Sequence, residues 1–162
     1  MKPTRMRVEG KPYRTIWVAD DGWTVCIIDQ TELPHRFVVR RLARVEDVAR
    51  AIVEMQVRGA PLIGVAAAYG ICLALRADGH DTSLASAFAL LGKTRPTAVN
   101  LRWALERMRR RLGELPVGQR VDAAYAEAAG LADEDVAVCR AIGTHGVELV
   151  RAAWQASGCS RP

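Results

Sequence analysis

The apolar positions of residues 13 to 41 alternate with polar ones in short runs rich in β-branched and aromatic side chains. Alternation of this kind is typical of half-buried strands. The run Tyr13 to Val18 is followed by Asp21 and Gly22, a dipeptide that favours a tight hairpin turn. Two further runs cover Trp23 to Gln30 and His35 to Arg41. The pattern predicts a small antiparallel β-meander over about 13–41.

From residue 45 onward the apolar positions recur every three to four residues, which is the period of an amphipathic helix. Successive patterns of this kind predict five or six helices, and strands followed by helices indicate an α+β fold. Within the last pattern, Gly143 and Gly146 leave open whether 119–156 is one helix or two. The chain divides on this basis into a flexible arm (1–12), one folded domain (13–156) and a tail (157–162) that resembles a truncation.

The helix that follows Pro61 differs from the others because it is apolar on every side. Residues Leu62 to Leu75 carry no charge, and arginines flank the run at Arg58 and Arg76. A helix that is apolar all round must be buried on all sides or lie in a membrane, and a membrane span needs about 20 apolar residues. The run is shorter than that, so we expect it to be the central helix of a soluble domain.

Composition narrows the function only slightly. The chain has 162 residues, half of them hydrophobic, and a net charge of +5, which suits either nucleic acid or phosphorylated small molecules. Four cysteines without close pairs favour free thiols in a reducing cytoplasm, and the polar N-terminus has no apolar core of a signal peptide. The histidines have no metal-ligand spacing; they are His35, His80 and His145. We therefore expect a cytoplasmic protein without a metal or a membrane anchor.

Two helix starts share the same chemistry. Arg58, Gly59 and Ala60 precede Pro61 at the first, and Arg95 precedes Pro96 at the second, with Asn100 one turn further on. An arginine beside open backbone N–H groups is suited to a phosphate or a carboxylate. Taken alone, each start is better explained as an ordinary helix that begins beside a solvated arginine. If the two helices run in the same direction, both starts face one cleft and can hold one phosphorylated ligand.

A second basic feature lies on the following helix, where Arg107 and Arg109 to Arg111 cluster. This cluster is the best candidate for nucleic-acid binding, and it makes a non-catalytic RNA-binding or interaction module an alternative function. A solvated helix face is the more economical interpretation, because Glu106 and Glu114 are interleaved with the arginines. We expect no nucleic-acid partner.

Four segments resemble the methylthioribose-1-phosphate isomerases. They are Val57 to Gly70, Arg95 to Leu101 with Trp103 and Ala104, Ile28 to Pro34, and Ala141 to Gly146. The segments follow the family's order and extend over most of the chain.

The resemblance implies an isomerase that converts 5-methylthioribose 1-phosphate to 5-methylthioribulose 1-phosphate in methionine salvage. It also implies a homodimer without a cofactor, and an N-terminal domain of strands and helices before a Rossmann-like C-terminal domain. Carried over residue by residue, the substrate-binding groups are Arg58, Gly59, Ala60 and Arg95.

The sequence departs from this family in one respect. The family's catalytic cysteine lies in a Thr-x-Cys-Asn-x-Gly motif, and its catalytic aspartate lies further on; neither motif occurs here, and the surroundings of Cys159 do not match. The resemblance therefore assigns no catalytic residue to this chain, which looks like the N-terminal domain alone without the Rossmann-like domain, and we expect it to be inactive by itself. Ribose-1,5-bisphosphate isomerases and the regulatory subunits of the translation-initiation exchange factor share the fold and remain alternatives.

Overall fold

The computed structural model describes residues 6–158 and has the α+β architecture that the sequence predicts. Its strands are β1 (Met6–Val8), β2 (Lys11–Tyr13), β3 (Ile16–Val18), β4 (Val25–Ile28) and β5 (Val39–Leu42). Its helices are α1 (Val45–Val53), α2 (Ala60–Ala77), α3 (Asp81–Thr94), α4 (Val99–Gly113) and α5 (Val117–Ala156).

Strands β3, β4 and β5 form the predicted antiparallel meander, in that order. The turn between β3 and β4 is closed by the carboxylate of Asp21, which accepts hydrogen bonds from the backbone N–H groups of Trp23 (3.0 Å) and Thr24 (2.9 Å). Gly22 has a φ of 79°, a left-handed conformation that glycine adopts without steric cost. The Asp-Gly signal in the sequence therefore identified this hairpin correctly.

Within the segment 1–12, predicted to be a flexible arm, the structure contains a short strand and most of a second one that the sequence pattern did not predict. Strands β1 and β2 pair antiparallel, with Arg7 opposite Pro12, and the turn between them contains Glu9 (φ 49°) and Gly10 (φ 78°). These strands are three residues long and largely exposed, so they lack the apolar alternation that reveals a half-buried strand. Residues 1–5, and Cys159 in the predicted tail, lie outside the described residues.

Helix α2 is the centre of the molecule, as predicted. Every residue from Leu62 to Leu75 is buried, and the helix packs against each of the other four. By length and composition it is the one helix among residues 6–158 apolar enough to cross a membrane, yet 78% of it is buried inside the protein. Burial of a side chain such as Leu or Ile stabilises a fold by about 1.5–3 kcal/mol, so this helix dominates the core.

Helix α5 is a single helix of 40 residues, and Gly143 and Gly146 do not interrupt it. Its first half packs onto the bundle through buried residues that include Ala124, Ala128 and Leu131. Among residues 136–158 no side chain is buried. The helix therefore extends beyond the bundle over the second half of its length.

Candidate anion site at two helix starts

The start of α2 is exposed and uncapped. Gly59 occupies the position before the helix with φ 93° and ψ 130°, and a Cβ there would meet nothing within 4 Å. Backbone conformation, and not lack of space, therefore requires glycine here. Within the described part of the chain no side chain caps this helix, and its first turn contains no acidic residue. Its first N–H groups are consequently open to an anion.

The start of α4 has the same features. Its N-cap residue is Ala98, whose N–H donates to the carbonyl oxygen of Arg95 at 3.0 Å. No side chain from residues 6–158 caps the helix, and no acidic residue lies in its first turn. Arg95 ends α3 and is half-buried. The turn from Arg95 to Ala98 thus places an arginine directly before a second set of open N–H groups.

The two starts lie side by side because Gly64 allows α2 and α4 to approach closely. A Cβ built at Gly64 would lie 2.8 Å from the carbonyl oxygen of Asn100 and 3.2 Å from the Cβ of Ala104. Gly64 is in the second turn of α2, and Asn100 is in the first turn of α4. At the other end of α2, Gly79 contacts Val117, which follows the end of α4 by a short linker. The two helices therefore run in the same direction, and both starts face the same end of the bundle.

A cavity of about 200 Å³ opens between these starts and α5. It is lined by Pro61, Gly64, Val65, Asn100, Trp103, Ala104, Leu131, Glu134, Asp135 and Val138. Asn100 is half-buried and lies at the edge of this cavity, in the first turn of α4. The residues singled out in the sequence (Arg58, Gly59, Ala60 and Arg95) precede the two helix starts and do not line the cavity itself.

The two arginines at the helix starts are not used in ion pairs. Neither Arg58 nor Arg95 takes part in the salt bridges found among residues 6–158. Arg58 is exposed, and its Nε lies 3.4 Å from the carbonyl oxygen of Met55, a long hydrogen bond. A guanidinium without a carboxylate partner can accept a phosphate at little electrostatic cost.

Asp29 organises the turn after β4, a role that sequence reasoning did not identify. Its carboxylate is fully buried and accepts hydrogen bonds from Thr31 Oγ1 (2.6 Å) and Arg40 Nε (2.9 Å). Burial alone would raise the pKa of Asp29, but these hydrogen bonds outweigh burial and the pKa is lowered. The next residue, Gln30, donates its backbone N–H to the carbonyl oxygen of Gln56 at 2.9 Å. This hydrogen bond connects the turn after β4 to the segment that precedes Arg58.

The arginine cluster of α4 is largely engaged in helix packing. Arg107 donates to both carboxylate oxygens of Glu134 (2.6 and 2.7 Å) and also contacts Glu127, and the guanidinium of Arg109 lies 4.8 Å from the ring centroid of Phe88. The hydrogen bond from Arg107 lowers the pKa of Glu134. The contacts of Arg107 join α4 to α5, and the contact of Arg109 joins α4 to α3.

A larger cavity, of about 560 Å³, lies at the opposite end of α2. Its polar groups are satisfied by one another: Asp78 contacts both His80 and Ser83, and Ser86 donates to the carbonyl oxygen of Thr82. Among the described residues, no three His, Cys, Asp or Glu side chains form a cluster that could hold a metal ion. The smaller cavity is therefore the one that combines open polar groups with the motif residues.

Residues 56–155, which include both helix starts, match the family model described as the initiation factor 2 subunit family. The chain belongs to this family. Curated relatives of the chain carry the name of the isomerase that its motifs resemble. The methylthioribose-1-phosphate isomerase of Rhodospirillum centenum is 60% identical to this chain over 90% of its length. The methylthioribose-1-phosphate isomerase of Methylocella silvestris is 58% identical over 90%. The chain spans about 40% of the length of these relatives.

Two solved structures show the same fold. One is 5-methylthioribose 1-phosphate isomerase from Pyrococcus horikoshii, with a TM-score of 0.70 and 38% identity over 76% of this chain and 36% of that one. The other is described as the delta subunit of translation initiation factor eIF-2B from A. fulgidus, with a TM-score of 0.67 and 38% identity over 76% and 37% of the two chains. The fold thus occurs both in an isomerase and in a protein described as an initiation-factor subunit.

Proposed function

We propose that this chain provides the phosphate-binding part of a methylthioribose-1-phosphate isomerase that acts in methionine salvage in the cytoplasm. The observation that carries the proposal is the pairing of two uncapped helix starts, each preceded by an arginine that has no ion-pair partner among residues 6–158. The isomerase names of relatives that share 52–60% identity with the chain support the choice of a sugar phosphate as the ligand.

In this proposal Arg58 and Arg95 hold the phosphate by charge and by paired hydrogen bonds. Gly59 and Ala60 leave the backbone N–H groups of α2 accessible to the same phosphate oxygens. The aldose–ketose conversion moves a proton between C1 and C2 of the sugar, which requires a general acid and a general base. The motifs that hold the family's catalytic cysteine and aspartate do not occur in this sequence, so we assign this part binding and orientation and place the proton transfer outside it. No cofactor enters this scheme.

The test is an NMR titration of the 162-residue chain with 5-methylthioribose 1-phosphate. We expect the largest shifts in the first turns of α2 and α4, and we expect Arg58→Ala and Arg95→Ala each to weaken binding by about 10- to 100-fold, because each removes charged hydrogen bonds. Arg110→Ala is the matched control, since Arg110 is an exposed arginine on α4 that is remote from the helix start.

Two results would contradict this function. One is the absence of any shift at the two helix starts at millimolar ligand, and the other is an equal loss of affinity in the Arg110 control. A separate turnover assay tests whether the chain only binds the sugar phosphate, because we expect the chain alone not to isomerise it.

The solved relative described as an initiation-factor subunit supports an alternative, a non-catalytic subunit of the same fold. The two structural neighbours have the same identity to this chain, so they do not favour either function. The names of the curated relatives favour the isomerase. We include in this proposal the homodimer that the resemblance implies. Binding of the methylthio sugar phosphate separates the two functions directly.

A further inference from the structure

The cavity beside the helix starts has a distribution of charge that fixes which end of a ligand it can accept. Its lining includes the carboxylates of Glu134 and Asp135 but no arginine or lysine. The cationic groups, Arg58 and Arg95, lie outside it at the helix starts. Arg107 already pairs with the carboxylate of Glu134, so the lining residues offer a phosphate no free cation, whereas the two arginines at the helix starts do. The uncharged end of a phosphorylated ligand is therefore the end that can enter.

The remaining walls of the cavity are apolar and come from three helices. Helix α2 contributes Val65, α4 contributes Trp103 and Ala104, and α5 contributes Leu131 and Val138. Leu131 is buried, so the apolar wall is continuous with the core. A small apolar group that enters loses contact with water and gains contact with these side chains.

Trp103 is the large exposed side chain of this wall. It is 50% exposed although it lies on the packed helix α4, and the guanidinium of Arg107 lies 5.6 Å from its ring centroid. Arg107 is in turn held by Glu134 and Glu127. The indole is thus held in position from one side and open on the other, where a thioether can contact it favourably.

We propose that this cavity binds the 5-methylthio group of the sugar phosphate while the phosphate lies at the two helix starts. The inference rests on the proposed function, because it takes its ligand from there. In methylthioribose 1-phosphate the charged group is on C1 and the apolar group is on C5, at opposite ends of the sugar. The protein has a matching arrangement: apolar side chains form most of the cavity lining, and the cationic groups lie outside it at the helix starts. Trp103 and Val138 then determine specificity for methylthio over hydroxyl.

The experiment compares binding of 5-methylthioribose 1-phosphate and ribose 1-phosphate to the 162-residue chain, by the same NMR titration. We expect the methylthio ligand to bind about tenfold more tightly, which corresponds to burial of about two methylene equivalents. Trp103→Ala and Val138→Asn should reduce this ratio to about one, with little change in the affinity for ribose 1-phosphate. Both side chains are at least half exposed, so the variants are expected to fold.

Two matched controls lie on the far part of α5, outside the cavity. Trp154→Ala and Val147→Asn change the same residue types at exposed positions and should keep the full discrimination. Equal affinity of the wild-type chain for both ligands, with shifts at the helix starts, would overturn the methylthio subsite and leave the phosphate site intact. A ratio unchanged in both cavity variants would also overturn it. Failure of both ligands to bind would overturn the proposed function and this inference together.

Discussion

Asp29 is a buried charge whose partners lie in the turn that follows it and on the neighbouring strand β5. Three donors surround its carboxylate: the backbone N–H of Thr31, the hydroxyl of Thr31 and the guanidinium of Arg40. A buried carboxylate is tolerated only when such donors replace water. Because Gln30 connects this turn to Gln56, the position of Asp29 affects the segment that presents Arg58.

We predict that Asp29→Asn lowers the free energy of unfolding at neutral pH by about 2 kcal/mol, since hydrogen bonds to a charged group are lost. The pKa of Asp29 is lower in the folded state than its ordinary value, so the ionised form stabilises the fold at a pH above that value. This contribution is lost as the pH falls through the folded-state pKa. Urea denaturation between neutral and acid pH should therefore show a smaller acid loss in the variant.

The exposed Asp20 provides the control for this comparison, because Asp20→Asn alters a neighbouring hairpin carboxylate at the surface. Its effect should stay within about 0.5 kcal/mol. An Asp29 variant with the wild-type acid profile would contradict the role given to the carboxylate.

Residues differ in how much of their structural role can be predicted from the sequence. Pro61 and Arg58 could be selected in advance because helix starts have local rules that involve only neighbouring residues. Local rules do not predict the role of Asp29, because its partner Arg40 is on another strand. Its connection to the helix start also depends on the hydrogen bond between Gln30 and Gln56. An aspartate at the end of an apolar strand was the available signal, and it does not specify what the carboxylate bonds.

The contact between α2 and α4 determines whether the two helix starts form one site. Periodicity in the sequence predicts both helices, but it does not fix the distance between them. Gly64 reduces that distance, because its lack of a side chain allows the backbone of Asn100 to lie against α2. The distance between α2 and α4 therefore depends on Gly64 in α2 and on the backbone of Asn100 in α4.

We predict that Gly64→Ala destabilises the chain by about 1–2 kcal/mol, although alanine favours helices, because the new methyl group would overlap a backbone carbonyl oxygen. The shift of α4 that relieves this overlap should also weaken binding of the sugar phosphate. Thermal unfolding and the NMR titration measure the two effects.

Gly130→Ala is the matched control for this substitution. Gly130 lies within α5, and a Cβ there would meet nothing within 4 Å. The control should raise stability by about 0.5–1 kcal/mol through helix propensity alone. A stabilising effect of the same size at Gly64 would refute the steric argument.

The elements were predictable to different degrees. The meander and helices α1, α3 and α4 follow from apolar periodicity, because each buries one side in a common core. Helix α2 follows instead from an uninterrupted apolar run, because it is buried on every side. The β1–β2 hairpin was missed since it buries little, and the continuity of α5 was undecided because glycine lowers helix propensity without forbidding a helix. Both cases depend on backbone energetics that apolar patterns do not record.

The whole molecule consists of a packed bundle and a helix that continues past it. The apolar side chains of α5 persist beyond the bundle, and Ile142 and Leu149 are 66% and 75% exposed. These residues contribute no burial within residues 6–158. The stability of the described fold should therefore reside almost wholly in the part before them.

We predict that a chain that ends at Arg140 has a free energy of unfolding within about 0.5 kcal/mol of the full chain, because no buried contact is removed. A chain that ends at Gly130 should lose about 2–4 kcal/mol, since it lacks the buried side chain of Leu131 and the partner of Arg107. Urea denaturation compares the three chains. A large loss in the longer variant would show that the far half of α5 packs against part of the protein.

The continuous backbone of α5 also has a mechanical consequence. About 20 residues of it extend past the last buried side chains, which is about 30 Å of helix at 1.5 Å per residue. A helical segment of this length moves as a rigid body when its packed end tilts. That end, the base of the segment, packs against α2 and α4 and contains Glu134, which pairs with Arg107. A tilt of about 10° at the base displaces its tip by about 5 Å. Small adjustments around the ligand cavity, which shares Leu131 and Val138 with that base, are therefore amplified into a large displacement at Ala156.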